Sequence, residues 1–125
     1  MANLTKVLLV DDDLSTRHLF EAVLDYHDIQ LMIAGSESEA MDCLTQTAPD
    51  VIVLDIVLPG KDGYKVLKAL RANPQVQCPV VATTAYYTLD SVPQFVQKGF
   101  DGYLLKPIQP EQLVEYLQGI VGSNQ

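Results

Sequence analysis

Residues 6–13 read Lys-Val-Leu-Leu-Val-Asp-Asp-Asp, an apolar run that ends abruptly in three acidic residues. A short run of this kind is typical of a strand that is buried on both faces. After the acids the spacing of the apolar residues changes. They recur at helical spacing at Leu14, Phe20, Val23 and Leu24. A buried strand that leads into a helix in this way predicts an α/β protein.

The same alternation continues along the rest of the chain. Further apolar strands are predicted at 29–34, 51–54, 79–83 and 101–105, and each is followed by a helical pattern. Between the third strand and its helix lies a loop at 56–63, with turn residues at Pro59, Gly60 and Gly63. Apolar strands separated by helices predict a five-stranded parallel sheet covered on both faces, a three-layer doubly wound sandwich.

Length and charge restrict the function classes. The chain has 125 residues, 16 acidic against 8 basic, and a formal net charge of −8. This acidic balance argues against binding to nucleic acid or to an anionic membrane surface, both of which require clustered Lys and Arg. No apolar run is long enough to span a bilayer or act as a leader, so we expect a cytoplasmic protein. The two cysteines, Cys43 and Cys78, are interpreted as reduced, small apolar residues.

Chemically active side chains stand where the predicted strands end. Three acids follow the first strand, and the other positions are Asp55, the pair Thr83-Thr84, and Lys106. Parallel strands bring their carboxyl ends to one edge of the sheet, which is where such sheets bind ligands. Crowded carboxylates repel one another, and Mg²⁺ relieves that repulsion. A hydroxyl and an ammonium beside the metal would suit phosphoryl oxygens, and an Asp there could act as a nucleophile toward phosphorus.

These motifs together resemble a receiver domain of two-component response regulators, of the stand-alone, chemotaxis-regulator-like type. The resemblance rests on residues 7–13 (VLLVDDD), 53–63 (VLDIVLPGKDG), 79–85 (PVVATTA) and 102–107 (GYLLKP). It extends from about residue 5 to residue 121, so we expect 1–125 to be a single receiver domain with no output domain. It also implies a flavodoxin-like fold with strand order 2-1-3-4-5.

The resemblance assigns a phosphoryl group and a metal ion to this edge. It implies that Asp55 accepts the phosphoryl group from a phosphohistidine, on a sensor histidine kinase or a histidine phosphotransfer protein. Mg²⁺ would be bound by Asp12, Asp55 and the backbone carbonyl of Val57, with Asp11 acting mostly through a water. Lys106 would pair first with Asp55 and then with the phosphoryl group. The domain would assist its own phosphorylation and dephosphorylation without being an enzyme in the usual sense.

A second set of residues is implied to switch the domain. Thr84 would move to bond the phosphoryl group, and Tyr103 would swing inward into the space it leaves, so that an unknown downstream protein is bound differently. Thr83 is the less favoured hydroxyl and Tyr103 could also be a plain core aromatic. We interpret Asp62 and Gly63 as a turn and helix cap.

Two other functions stay open at this point. Residues 11–15 also fit, loosely, the opening of a haloacid-dehalogenase-like phosphatase, in which Asp11 would be the nucleophile. That family needs further acids on a strand end after its lysine, and here only Glu111 and Glu115 follow Lys106, on a helix. The third reading is a receiver-like module that binds partners without phosphorylation.

Overall fold

The computed structural model describes residues 3–58 and 61–123. The predicted turn at Pro59 and Gly60 therefore lies outside the described residues. The described strands are β1 (Lys6–Val10), β2 (Gln30–Ala34), β3 (Val51–Asp55), β4 (Val57–Leu58), β5 (Lys61–Asp62), β6 (Val80–Thr84) and β7 (Gly102–Leu105). The described helices are α1 (Leu14–Tyr26), α2 (Glu37–Gln46), α3 (Gly63–Ala72), α4 (Val92–Gln97) and α5 (Pro110–Ser123).

The main sheet has the predicted topology. Its order is β2-β1-β3-β6-β7 and every neighbouring pair is parallel. Counting these five strands alone, this is the order 2-1-3-4-5, so the doubly wound α/β fold is confirmed. The order also places β1 and β3 side by side in the middle of the sheet.

Two apolar layers sandwich this sheet, because successive side chains of a strand point to opposite faces. Leu8 and Ile52 belong to the layer shared with α2 and α3, whereas Leu9 and Val53 belong to the layer shared with α1 and α5. β3 and β6 are buried along their whole length. This two-sided burial explains why the strands read as continuous apolar runs.

The segment after β3 differs from the predicted loop. β4 and β5 form a two-stranded antiparallel ribbon that pairs Val57 with Asp62 and Leu58 with Lys61. Asp62 caps α3, since its side chain accepts a hydrogen bond from the Tyr64 N–H at 2.9 Å. The predicted role of Asp62 as a helix cap is thus confirmed.

Among the described residues, none of the helices is both long and apolar enough to cross a membrane.

Candidate functional site

Four parallel strands deliver the predicted side chains to one edge of the sheet. Asp11 directly follows β1, Asp55 ends β3, Thr84 ends β6 and Lys106 directly follows β7. The strand register sets their relative heights, because Asp55 lies opposite Thr83 in the β3–β6 pair. The Lys106 N–H donates to the Thr84 carbonyl at 3.0 Å, which fixes the end of β7 beside the end of β6.

Three carboxylates converge in this place. One oxygen from each of Asp11, Asp12 and Asp55 lies within 4.8 Å of the other two. Asp11 is fully buried and Asp55 is 5% exposed, whereas Asp12 is exposed to solvent. An open cleft of about 470 Å³ gives access to the group from the direction of Val57 and Tyr86.

Among the described side chains, the ammonium group of Lys106 sits between the acids. Lys106 Nζ lies 3.1 Å from Asp11 Oδ2 and 3.2 Å from Asp55 Oδ2. It also lies 3.4 Å from Asp13 Oδ2, so Asp13 joins the acids around the ammonium. Counted over the described side chains, four acids surround Lys106 and give this group a formal excess of negative charge.

Burial and the neighbouring charges together shift the pKa values of Asp55 and Lys106. Burial raises the pKa of Asp55 to about 6; the Val57 N–H opposes this rise, Asp11 adds to it, and Lys106 opposes it. Burial disfavours the charged form of Lys106, but the carboxylates of Asp11 and Asp55 outweigh burial and raise its pKa. Burial is therefore the main cause of the shift at Asp55, whereas the neighbouring carboxylates are the cause of the raised pKa of Lys106.

Because the pKa of Asp55 is raised in the folded state, ionising this carboxyl lowers the free energy of unfolding. Between about pH 4 and about pH 6 the folded state binds a proton that the unfolded state has released, so stability falls as the pH rises through this window. We therefore expect Asp55→Asn to raise the free energy of unfolding by about 1–3 kcal/mol at about pH 7.5 in EDTA, because the amide mimics the neutral acid. Urea titration measures this difference.

The pH dependence and a matched variant test that explanation. The gain from Asp55→Asn should nearly vanish at about pH 4, where the acid itself is protonated. Asp25→Asn is the control, since Asp25 is exposed on α1 and its replacement should change stability by less than about 0.5 kcal/mol. A wild type as stable as Asp55→Asn in EDTA at neutral pH would contradict a raised pKa.

The donor set fits a hard divalent cation. Asp11 Oδ2 is buried and, among the described residues, accepts no hydrogen bond despite its ionic contact with Lys106. Its other oxygen accepts from the Asp13 N–H at 2.8 Å, and Asp55 Oδ1 accepts from the Val57 N–H at 3.0 Å. Crowded carboxylate oxygens with unfilled bonding capacity are what Mg²⁺ prefers.

The candidate switch residues lie on the neighbouring strands β6 and β7, and Thr84 directly precedes Ala85, which lines the cleft. Thr84 is buried, and its Oγ1 accepts a hydrogen bond from the Tyr86 N–H at 3.0 Å, which ties it to the loop before α4. Tyr103 is 36% exposed, and its ring packs edge-on against Phe95, with centroids 5.8 Å apart. Thr83 Oγ1 is buried and, among the described residues, has no hydrogen-bond partner.

Two contributions to the site were missed at the level of sequence. Asp13 caps α1 through the Ser15 N–H and also approaches Lys106, while the Thr16 hydroxyl lowers the pKa of its carboxyl. Arg17 donates from Nε to the Asp11 carbonyl at 2.7 Å and so anchors the end of β1 to α1. Nothing local in the sequence indicates a bond from Arg17 to a backbone carbonyl six residues earlier.

Comparison with known proteins now decides the family. The family model of the response regulator receiver domain matches residues 7–118. The chain belongs to this family. The receiver is 32% identical over 120 residues to the DNA-binding response regulator MtrA of Mycolicibacterium smegmatis, covering 96% of this chain and 52% of that protein. It thus spans about half the length of the curated relatives it matches first.

Solved structures show the same fold. The receiver superposes on the chemotaxis response regulator CheY4 of Vibrio cholerae with a TM-score of 0.83 and 28% identity, covering 94% of this chain and 99% of that one. It also matches the receiver domain of the sensor histidine kinase PA1611 from Pseudomonas aeruginosa, with a TM-score of 0.81 and 26% identity, covering 96% and 99% of the two chains. That structure holds a magnesium ion coordinated in its active site cleft.

Proposed function

We propose that this receiver accepts a phosphoryl group on Asp55 from a phosphohistidine donor in a Mg²⁺-dependent reaction. The observation that carries the proposal is the grouping of Asp11, Asp12 and Asp55 around one cleft, with Lys106 in contact with Asp55. The donor would be a sensor histidine kinase or a histidine phosphotransfer protein.

The chemistry follows from what surrounds the Asp55 carboxylate. As a bond forms between an Asp55 oxygen and phosphorus, the phosphorus–nitrogen bond of the donor breaks, and the imidazole nitrogen keeps the electron pair and takes a proton. Lys106 is 3.2 Å from Asp55 and stays close enough to bond the incoming phosphoryl oxygens. The Val57 N–H orients the carboxylate by holding Oδ1.

A bound Mg²⁺ would supply the positive charge that lets the carboxylates and a phosphoryl group share this cleft. Asp12 and Asp55 would bind it directly, and Asp11 would act mostly through a water. The Val57 backbone carbonyl would be a further ligand, and Val57 does line the cleft. The domain is then a phosphoacceptor that assists its own modification, and we do not propose that it turns over a separate substrate.

Acetyl phosphate and intact-mass analysis test this reaction without knowledge of the natural donor. Wild type should gain one phosphoryl group in Mg²⁺ and essentially none in EDTA, and Asp55→Asn should gain none in either. Asp25→Asn, on the surface of α1, should be labelled like wild type.

The same experiment separates the alternative functions. Labelling that persists in Asp55→Asn and vanishes in Asp11→Asn would indicate the phosphatase-like chemistry instead. Asp11 is buried and held by the Asp13 N–H and Lys106, and the family match gives that reading no support. A wild type that folds normally yet takes no label at all would indicate a module that works without phosphorylation.

We infer further that phosphorylation switches the domain through Thr84 and Tyr103. A phosphoryl group on Asp55 offers acceptors to the Thr84 hydroxyl, which would leave its bond with the Tyr86 N–H. The loop before α4 would then rearrange, and Tyr103 would swing inward from its half-exposed position against Phe95. A partner that contacts this region would bind one state more tightly than the other, which is the requirement for a switch.

Isosteric variants of the two neighbouring threonines test the switch. Thr84→Val removes the hydroxyl but keeps the shape, so Asp55 should still be phosphorylated while the Tyr103 ring resonance no longer shifts. NMR of ring-labelled tyrosine measures the shift, and Tyr103→Phe assigns the signal. Thr83→Val is the matched control, and its Tyr103 resonance should respond as in wild type. A normal Tyr103 response in Thr84→Val would overturn this switch.

A further inference from the structure

One edge of the main sheet is left open. In the described part of the chain β2 pairs only with β1. The Gln30 N–H donates toward β1, to the Thr5 carbonyl at 2.8 Å, and the Ala34 carbonyl accepts from the Asp11 N–H at 2.9 Å. Because backbone groups alternate along a strand, the N–H and C=O groups of Leu31 and Ile33 point away from β1.

This edge lacks the usual protection against pairing. Natural edge strands commonly carry Lys, Pro or a bulge that blocks the addition of another strand. β2 reads Gln-Leu-Met-Ile-Ala, with no charge and no proline. The opposite edge is different, because at β7 the Tyr116 hydroxyl accepts a hydrogen bond from the Tyr103 N–H at 2.9 Å.

A groove with one acidic wall runs beside the open edge of β2. It has a volume of about 720 Å³ and lies between α1 and β2. α1 contributes Glu21 and Asp25, one turn apart, together with His18. The β2 side contributes the apolar residues Leu31 and Ile33, so the groove has an apolar floor and a negatively charged wall.

We propose that the outer edge of β2 accepts an extended, basic segment of a partner protein as a sixth strand. Its backbone would bond the free groups of Leu31 and Ile33, and alternate Lys or Arg side chains would meet Glu21 and Asp25. A second copy of this chain is the poorer occupant. Pairing β2 with β2 would bring two acidic α1 helices together, on chains that each carry a formal charge of −8. The proposal is independent of Asp55 chemistry.

Amide hydrogen exchange with a model peptide tests strand addition directly. The probe is the hexapeptide Lys-Val-Lys-Val-Lys-Val with blocked ends, added to the 125-residue chain. Exchange of the Leu31 and Ile33 amides should slow on binding. The Met32 amide, which points toward β1, should be unchanged. If none of these amides changes at a peptide concentration that saturates binding, the peptide binds elsewhere and the proposal fails.

Two matched controls separate backbone pairing from charge attraction. A peptide that is N-methylated at alternate residues keeps its charge but cannot form the ladder, and it should not bind; equal binding would overturn the proposal. Glu21→Gln with Asp25→Asn should weaken binding by about three- to tenfold. Glu111→Gln with Glu115→Gln makes the same charge change on α5 and should leave the affinity unchanged.

The free protein supplies the last control. Protection of the Leu31 and Ile33 amides that grows with protein concentration, without peptide, would assign this edge to self-association and overturn the proposed partner. Exchange that stays fast at all protein concentrations supports an edge kept open for a different chain.

Discussion

We expect Lys106→Met to lower the free energy of unfolding by about 3 kcal/mol at about pH 7.5 in EDTA, the cost typical of removing one partner of a buried ion pair. The ammonium lies 3.1 Å from Asp11, which is fully buried, and 3.2 Å from Asp55, which is 5% exposed. Without it, two carboxylates stay buried beside one another with no cation between them. Chemical denaturation of the two proteins in parallel measures the loss.

Three comparisons identify the cause of that loss. Lys68→Met is the matched control, because Lys68 is exposed on α3 and its replacement should change stability by less than about 0.5 kcal/mol. The loss in Lys106→Met should shrink near about pH 5, because Asp55, with its raised pKa, takes up a proton there. Saturating Mg²⁺ should recover part of it. If Lys106→Met and Lys68→Met are equally stable in EDTA, the ammonium does not hold the acids together.

The second large effect is expected at Gly63, the first residue of α3. A Cβ there would overlap the Ile56 Cα and would lie 2.5 Å from the Ile56 carbonyl oxygen, and both are backbone atoms. The Gly63 N–H donates to that same carbonyl at 2.8 Å, so the two segments are already in close contact. We expect Gly63→Ala to destabilise the protein by about 3 kcal/mol, near the upper end for single substitutions.

A second glycine in a helix provides the control. Gly119 lies within α5, and a Cβ there would have no atom within 4 Å. Gly119→Ala should therefore stabilise the protein by about 0.5–1 kcal/mol, because alanine reduces the entropy of the unfolded chain. Thermal melting of the two variants should show shifts of opposite sign. A Gly63→Ala protein that melts with wild type would mean that the segment after β3 adjusts freely.

The layout of the fold could be predicted because its cause is local. Buried parallel strands are continuously apolar, and the intervening helices show a different period, so the alternation is visible in the sequence itself. The order of the strands in the sheet could not be predicted from this local pattern. The pattern of elements fits several orders, and it was the resemblance of residues 7–13 and 53–63 to a known family that selected the observed one.

The same distinction applies to the site. Asp11, Asp55, Thr84 and Lys106 stand at strand ends, so their convergence follows from the parallel topology. The approach of Asp13 to Lys106 depends on side chains 93 residues apart, so no local pattern in the sequence indicates it. The ribbon of β4 and β5 was missed because two residues are too short for a period to be recognised.

Because the acids around Lys106 are crowded, the melting temperature of the protein should rise when a cation binds among them. Any cation that neutralises those acids binds the folded chain and not the unfolded one, so it raises the melting temperature in proportion to the logarithm of its concentration. A thermal-shift assay could therefore rank divalent ions by how strongly they stabilise the folded chain. Variants that remove one of the acids, such as Asp55→Asn, should respond least, because they lack part of the repulsion that the ion relieves.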